Sequence, residues 1–113
     1  MNAAYALAAR LEAKPTKGQE VADLLSSGLA DVVDEPGTRA WVAVRFGLFE
    51  FGLYVVFPGE TARQAHLTGK VAATLKANAH RFEGNPVFET ADVLAAKLPA
   101  GAARHEGNPT ATR

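Results

Sequence analysis

Residues 50–57, Glu-Phe-Gly-Leu-Tyr-Val-Val-Phe, alternate Phe51, Leu53, Val55 and Phe57 with Gly52, Tyr54 and Val56, so a strand here is apolar on both faces. Such a strand must be covered on two sides. The chain has little material for that cover, because of its 113 residues and 48% apolar share, 23 residues are alanine and only 31 are larger. A chain of this length buries roughly two-thirds of its unfolded surface. Its large apolar side chains must therefore be placed economically, or the core must be completed by a partner.

The flanking periodicities supply the other elements. Residues 4–13 put Tyr5, Leu7, Ala9 and Leu11 at period two, which predicts a strand. Pro15 ends it, and Thr16-Lys17-Gly18-Gln19 has capping-box spacing, predicting a helix that starts at Thr16. That helix carries Val21, Leu24, Leu25, Leu29, Val32 and Val33 as its apolar stripe and closes at Pro36-Gly37. Ala40, Val42 and Val44 alternate with Trp41, Ala43 and Arg45 in a second strand, which turns at Phe46–Phe49 into the third. Pro58-Gly59 breaks the third strand; Glu60–His66 and, past a kink at Gly69, Lys70–Arg81 read as helix. A fourth strand spans Val87–Leu98. The order β-α-β-β-α-β predicts an α+β, ferredoxin-like domain over residues 1–98, with a four-stranded antiparallel sheet and its helices on one face. Residues 99–113 lose all periodicity and read as a disordered tail. The bare sheet face predicts a homodimer with facing β-sheets.

Composition removes several functions. Twelve basic residues balance twelve acidic ones, which leaves no excess to neutralise phosphates and predicts no nucleic-acid partner. Without cysteine there is no disulfide, thiolate zinc site or thiol nucleophile. The longest apolar stretch, 41–58, is interrupted by Arg45 and Glu50, so no membrane span is expected, and a cytoplasmic location is the default. His66, His80 and His105 lie far apart with no ligand-spaced companions, so no metal is expected. No phosphate loop or Gly-x-Ser-x-Gly elbow occurs.

Five strings in order, Ala13-Lys14-Pro15, Glu35-Pro36-Gly37-Thr38 followed by Trp41, Phe51-Gly52-Leu53-Tyr54 followed by Phe57-Pro58, Gln64-Ala65-His66-Leu67, and Val93-Leu94-Ala95-Ala96-Lys97-Leu98-Pro99, give the chain a family likeness. It resembles the antibiotic-biosynthesis-monooxygenase-like domains of the dimeric α+β barrel superfamily across residues 4–98. The resemblance implies a homodimer with a pocket in each subunit between sheet and helices. It also implies oxidation of a small aromatic or quinol-type substrate by molecular oxygen without metal or flavin, so no cofactor is expected. Such chemistry needs an apolar cavity, aromatic walls, and a polar group to take a proton. The candidates are His66 and Tyr54 as catalytic groups, and Trp41, Phe57, Phe82 and Arg45 as substrate-binding ones.

Each candidate has a plainer reading: a hydrogen-bonded structural histidine, core aromatics, a tyrosine anchored to backbone, a solvated arginine. Catalytic relatives carry an asparagine and a tryptophan where this chain has Leu53 and Phe57, and an acidic residue is common in the close subgroup where Val55 stands. Haem-degrading relatives place their iron-binding histidine near Leu75 and Lys76, about one turn before His80, which disfavours haem. These departures favour the alternative of a non-catalytic dimeric ligand-binding or stress-associated module. A structural dimer whose pocket is filled by its own side chains is the third reading.

Overall fold

A computed structural model describes residues 4–98. Its elements are β1 (Tyr5–Glu12), α1 (Gly18–Ser27), α2 (Leu29–Val32), β2 (Ala40–Arg45), β3 (Glu50–Phe57), α3 (Glu60–Leu67), α4 (Lys70–Ala77), a 3-10 turn (Ala79–Arg81) and β4 (Val87–Asp92). The four strands form one antiparallel sheet in the order β2-β3-β1-β4. The doubly apolar β3 is thus an inner strand, paired on both edges.

Register decides which side chains share a face. Leu7, Ala9 and Leu11 of β1 and Phe51, Leu53, Val55 and Phe57 of β3 point to the helices and are buried with Val21, Leu25, Val32, Val71, Leu75 and Phe82. The opposite face carries three cross-strand rows, Ala40, Val56, Ala6 and Ala91; Val42, Tyr54, Ala8 and Glu89; Val44, Gly52, Arg10 and Val87, and beyond them the pair Glu12 and Glu50. Arg10 and Glu89 are the charges within the three rows, and Arg10 pairs with Glu50 at 3.4 Å. Among the described residues no helix covers this face, and Val42 and Val87 stay 49% and 65% exposed.

Four local expectations are corrected. No capping box forms at Thr16: that residue has φ 73°, the helix opens at Gly18 after Lys17 without a side-chain cap, and Gln19 donates instead to Asp23 at 2.9 Å. A β-branched residue in the left-handed region cannot hold the extended cap geometry. The single helix to Pro36 divides at Gly28, where Ser26 and Ser27 turn their hydroxyls back onto the Ala22 and Leu24 carbonyls. Leu29 and Val33, assigned to the buried stripe, are consequently exposed. The fourth strand stops at Asp92 rather than Leu98, because its partner β1 begins at Tyr5; the final ladder-like bond is Val93 N–H to the Ala4 carbonyl at 3.0 Å. The second helical region ends as a 3-10 turn rather than continuous α-helix to Arg81. The tail read at 99–113 lies outside the described residues, as does His105. No helix among the described residues is long and apolar enough to cross a membrane.

Candidate functional site

The hairpin register brings two loops to one end of the sheet. Ala40 pairs with Val56, and Arg39 N–H bonds the Val56 carbonyl at 2.8 Å, so the segment entering β2 lies beside the segment leaving β3. Pro58 cannot extend the ladder, Gly59 is extended, and α3 starts at Glu60. At spacing of three, Arg63 and His66 fall on the inward stripe of α3 and are its buried residues.

Between Glu35–Thr38 and α3 lies a cleft of about 580 Å³, walled by Pro36, Gly37, Pro58, Gly59, Ala62 and Ala65, with Glu35, Thr38, Thr61 and His66 as its polar members. This volume suits a small organic ligand. Gly37 is required by close approach, since a Cβ there would stand 2.7 Å from the Ala62 Cβ. The contact presses the 35–38 turn against α3, so that His66 Nδ1 lies 3.1 Å from Glu35 Oε1. Thr38 donates its hydroxyl to the same oxygen at 2.6 Å. The His66 ring packs 5.3 Å from that of Phe57, and its Nε2 is buried without a partner. At 3% exposure His66 is one of the two buried polar residues among those described.

The other, Arg63, braces the same sheet end. Its guanidinium donates to the Ala6 and Ala91 carbonyls at 3.2 Å, pairs with Glu60, and lies over the Tyr5 ring. Gln64, then Arg63, hydrogen-bond Glu60 and hold its carboxyl below the usual carboxylate value. Sequence reading passed over both Arg63 and the role of Glu35. The usable signal was the antiparallel β2–β3 pairing, which by itself puts residues before 40 beside residues after 57.

The structure does not gather the six sequence candidates into one pocket. Tyr54 lies on the opposite face of the sheet from His66, beside Arg10, Asn85, Val87 and Glu89 around a separate hollow. Phe57 and Phe82 are fully packed core residues. Trp41 faces the helices and lies against Gly28. Arg45 braces the hairpin, donating to the Gly47 and Leu48 carbonyls and to Gln19, with its guanidinium over Phe51. Only His66 lines the cleft, with Phe57 behind its ring. Leu53 and Phe57 are both 0% exposed and pack in the core between sheet and helices. Among the described residues no three His, Asp or Glu side chains come together as a metal site.

No family model matches the chain, and no curated protein does. Solved structures do. The NE2512 protein of unknown function from Nitrosomonas europaea is 46% identical, with 88% of this chain and 98% of that one covered and a TM-score of 0.85. The chain belongs to that protein's family. A second Nitrosomonas europaea protein, provisionally named an antibiotic biosynthesis monooxygenase, is 15% identical over 80% of this chain and 99% of its own, with a TM-score of 0.72. Rv0793 from Mycobacterium tuberculosis is 16% identical over 82% and 97%, with a TM-score of 0.71. The chain therefore has the antibiotic-biosynthesis-monooxygenase-like fold expected from the five strings, a four-stranded antiparallel sheet with its helices on one face.

Proposed function

We propose that the protein is a cofactor-independent oxygenase for a small, flat, hydroxylated aromatic of the quinol or anthrone class, bound in the cleft beside His66. One observation carries this reading: a buried imidazole, tied to a carboxylate through Nδ1 and unpartnered at Nε2, forms part of the wall of a largely apolar cleft. The fold is shared with proteins provisionally named monooxygenases, which supports the reaction class.

His66 accepts the proton of the substrate hydroxyl, leaving the electron pair on the substrate as an electron-rich anion. That anion reduces molecular oxygen directly. For an anthrone, the ring methylene becomes a carbonyl: one oxygen atom enters the product and the other leaves as water with the two methylene hydrogens. The small, largely apolar walls of the cleft leave room for the ring.

The test is oxygen uptake with an anthrone and a naphthoquinol, corrected for spontaneous oxidation. His66→Ala lowers the rate about 100-fold or more, and His66→Gln, which keeps most of the volume, does likewise. Undiminished uptake in both variants removes His66 from the mechanism. The apolar Leu53 and Phe57, which give the buried face of β3 no polar group, favour a second reading, a ligand-binding module without chemistry, for which the same aromatics bind the wild type but no oxygen is consumed.

The protein is further proposed to act as a homodimer through the uncovered sheet face. Its support is the three rows of small and apolar side chains that carry only Arg10 and Glu89 as charges.

A further inference from the structure

We infer that the groove between α4 and β4 binds a small aromatic carboxylate, at a site separate from the His66 cleft, with Lys76 as the partner of its negative charge. The helix supplies one wall. Ala72, Leu75, Lys76 and Ala79 recur at spacings of three and four, so they form one stripe along α4 and the 3-10 turn that follows it. Leu75 is buried in the core, but alanine at 72 and 79 is too short to close the stripe over the edge strand. The sheet supplies the other wall. Phe88 pairs with the buried Ala9 and so faces the helices, where it packs half-buried against the core, and Asn85 and Pro86 continue the wall into the turn before β4. The space between the walls is about 360 Å³, within the range of small-molecule sites. Alanines on one side and a phenylalanine and a proline on the other suit a flat ring.

Charge decides the class of ligand. Lys76 is the single charged residue lining the groove; it is exposed and makes no ion pair among the described residues. No Asp or Glu occurs in residues 61–82, and two other cations of that stretch are already engaged, Arg63 with Glu60 and Arg81 with Glu20. Glu89, the neighbour of Phe88 on β4, pairs with Ala8 and lies on the opposite face of the sheet. Other hollows of the molecule are balanced or acidic: Arg10 accompanies Glu89 around Tyr54, Arg45 accompanies Asp23 beside α1, and Glu35 lines the His66 cleft. A carboxylate carried on an apolar ring is therefore attracted to the α4–β4 groove, whereas the His66 cleft meets it with a carboxylate of its own. The oxygens of such a ligand only accept hydrogen bonds, and the Lys76 ammonium and the Asn85 amide are donors. The flexible stem of Lys76 lets its ammonium follow the ligand's charge.

The test titrates the full chain at low salt with naphthoate and with naphthamide, its neutral counterpart of nearly the same shape, and follows backbone amide shifts by NMR. Naphthoate binds about three- to fivefold more tightly than naphthamide, and high salt removes the difference. The shifts centre on Ala72, Ala79 and Phe88. Lys76→Ala binds the two probes equally, and Lys76→Glu turns the preference toward naphthylmethylamine, a cation of similar shape. Ala79→Leu, made at an exposed position so that the fold is kept, fills the groove and abolishes binding of both probes. Shifts centred instead on Thr38, Ala62 and Ala65, a preference for naphthoate that survives in Lys76→Ala, or failure of both probes to bind overturns the inference.

Discussion

At Gly18 a single missing carbon sets how closely the first helix meets the β2–β3 hairpin. A Cβ at this position would fall 2.3 Å from the Leu48 carbonyl oxygen, a backbone atom that cannot swing aside. Gly18→Ala is expected to destabilise the fold by about 1–3 kcal/mol, read as a lower urea midpoint with an unchanged slope. Residue-scale features of this kind were the least legible ones. His66 could be singled out from sequence because an imidazole suits proton transfer near neutral pH and it stands in one of the five strings of the family likeness. Its partner Glu35 is 31 residues away, and no local spacing links the two. Tyr54 has a hydroxyl that could orient a phenol beside His66, but its place one residue along β3 from the buried Leu53 and Val55 sends its side chain to the other face of the sheet.

Elements were legible where periodicity is strong and were misread where local chemistry competes with it. The bounds of β2 and β3 follow directly from alternation, since both strands are held by pairing along their whole length. The first helix was read as continuous because the apolar spacing runs through Gly28, whereas the serine hydroxyls and the glycine divide it. That helix is joined to the turn before β4 by charge. Arg81 Nε donates to Glu20 at 2.8 Å and Lys17 to its other oxygen at 3.3 Å. The Arg81 hydrogen bond first, and then that of Lys17, hold the Glu20 carboxyl below its ordinary value of 4.5. A carboxylate whose pKa is lowered on folding contributes stability above its unfolded pKa and loses it as pH falls through the folded value. Glu20→Gln should therefore lower Tm near neutral pH by a small amount and flatten the Tm decline below pH 4.5. Because the pair is exposed, 0.5 M salt should shrink the difference.

At the scale of the molecule, the two faces of the sheet have different fates. One is closed by four helical segments; the other exposes Val42, Tyr54 and Val87 in a band that carries Arg10 and Glu89 and is bordered by Glu12 and Glu50. A second copy of the same face is the proposed cover, and light scattering at micromolar protein should return twice the 11.9 kDa chain mass. Val42→Lys, in the middle row, should shift the population to monomer without changing the far-ultraviolet dichroism; a monomeric wild type sinks the proposal. The doubly apolar strand, the element order and hence the sheet topology were determined by sequence alone, because periods of two and of three to four residues record which face of each element is buried. Tertiary structure decided the site. The Glu35–His66 pair, the Arg63 brace and the separation of Tyr54 from His66 depend on strand register and on a turn seated against α3 through Gly37, and these bring together groups that no spacing along the chain connects.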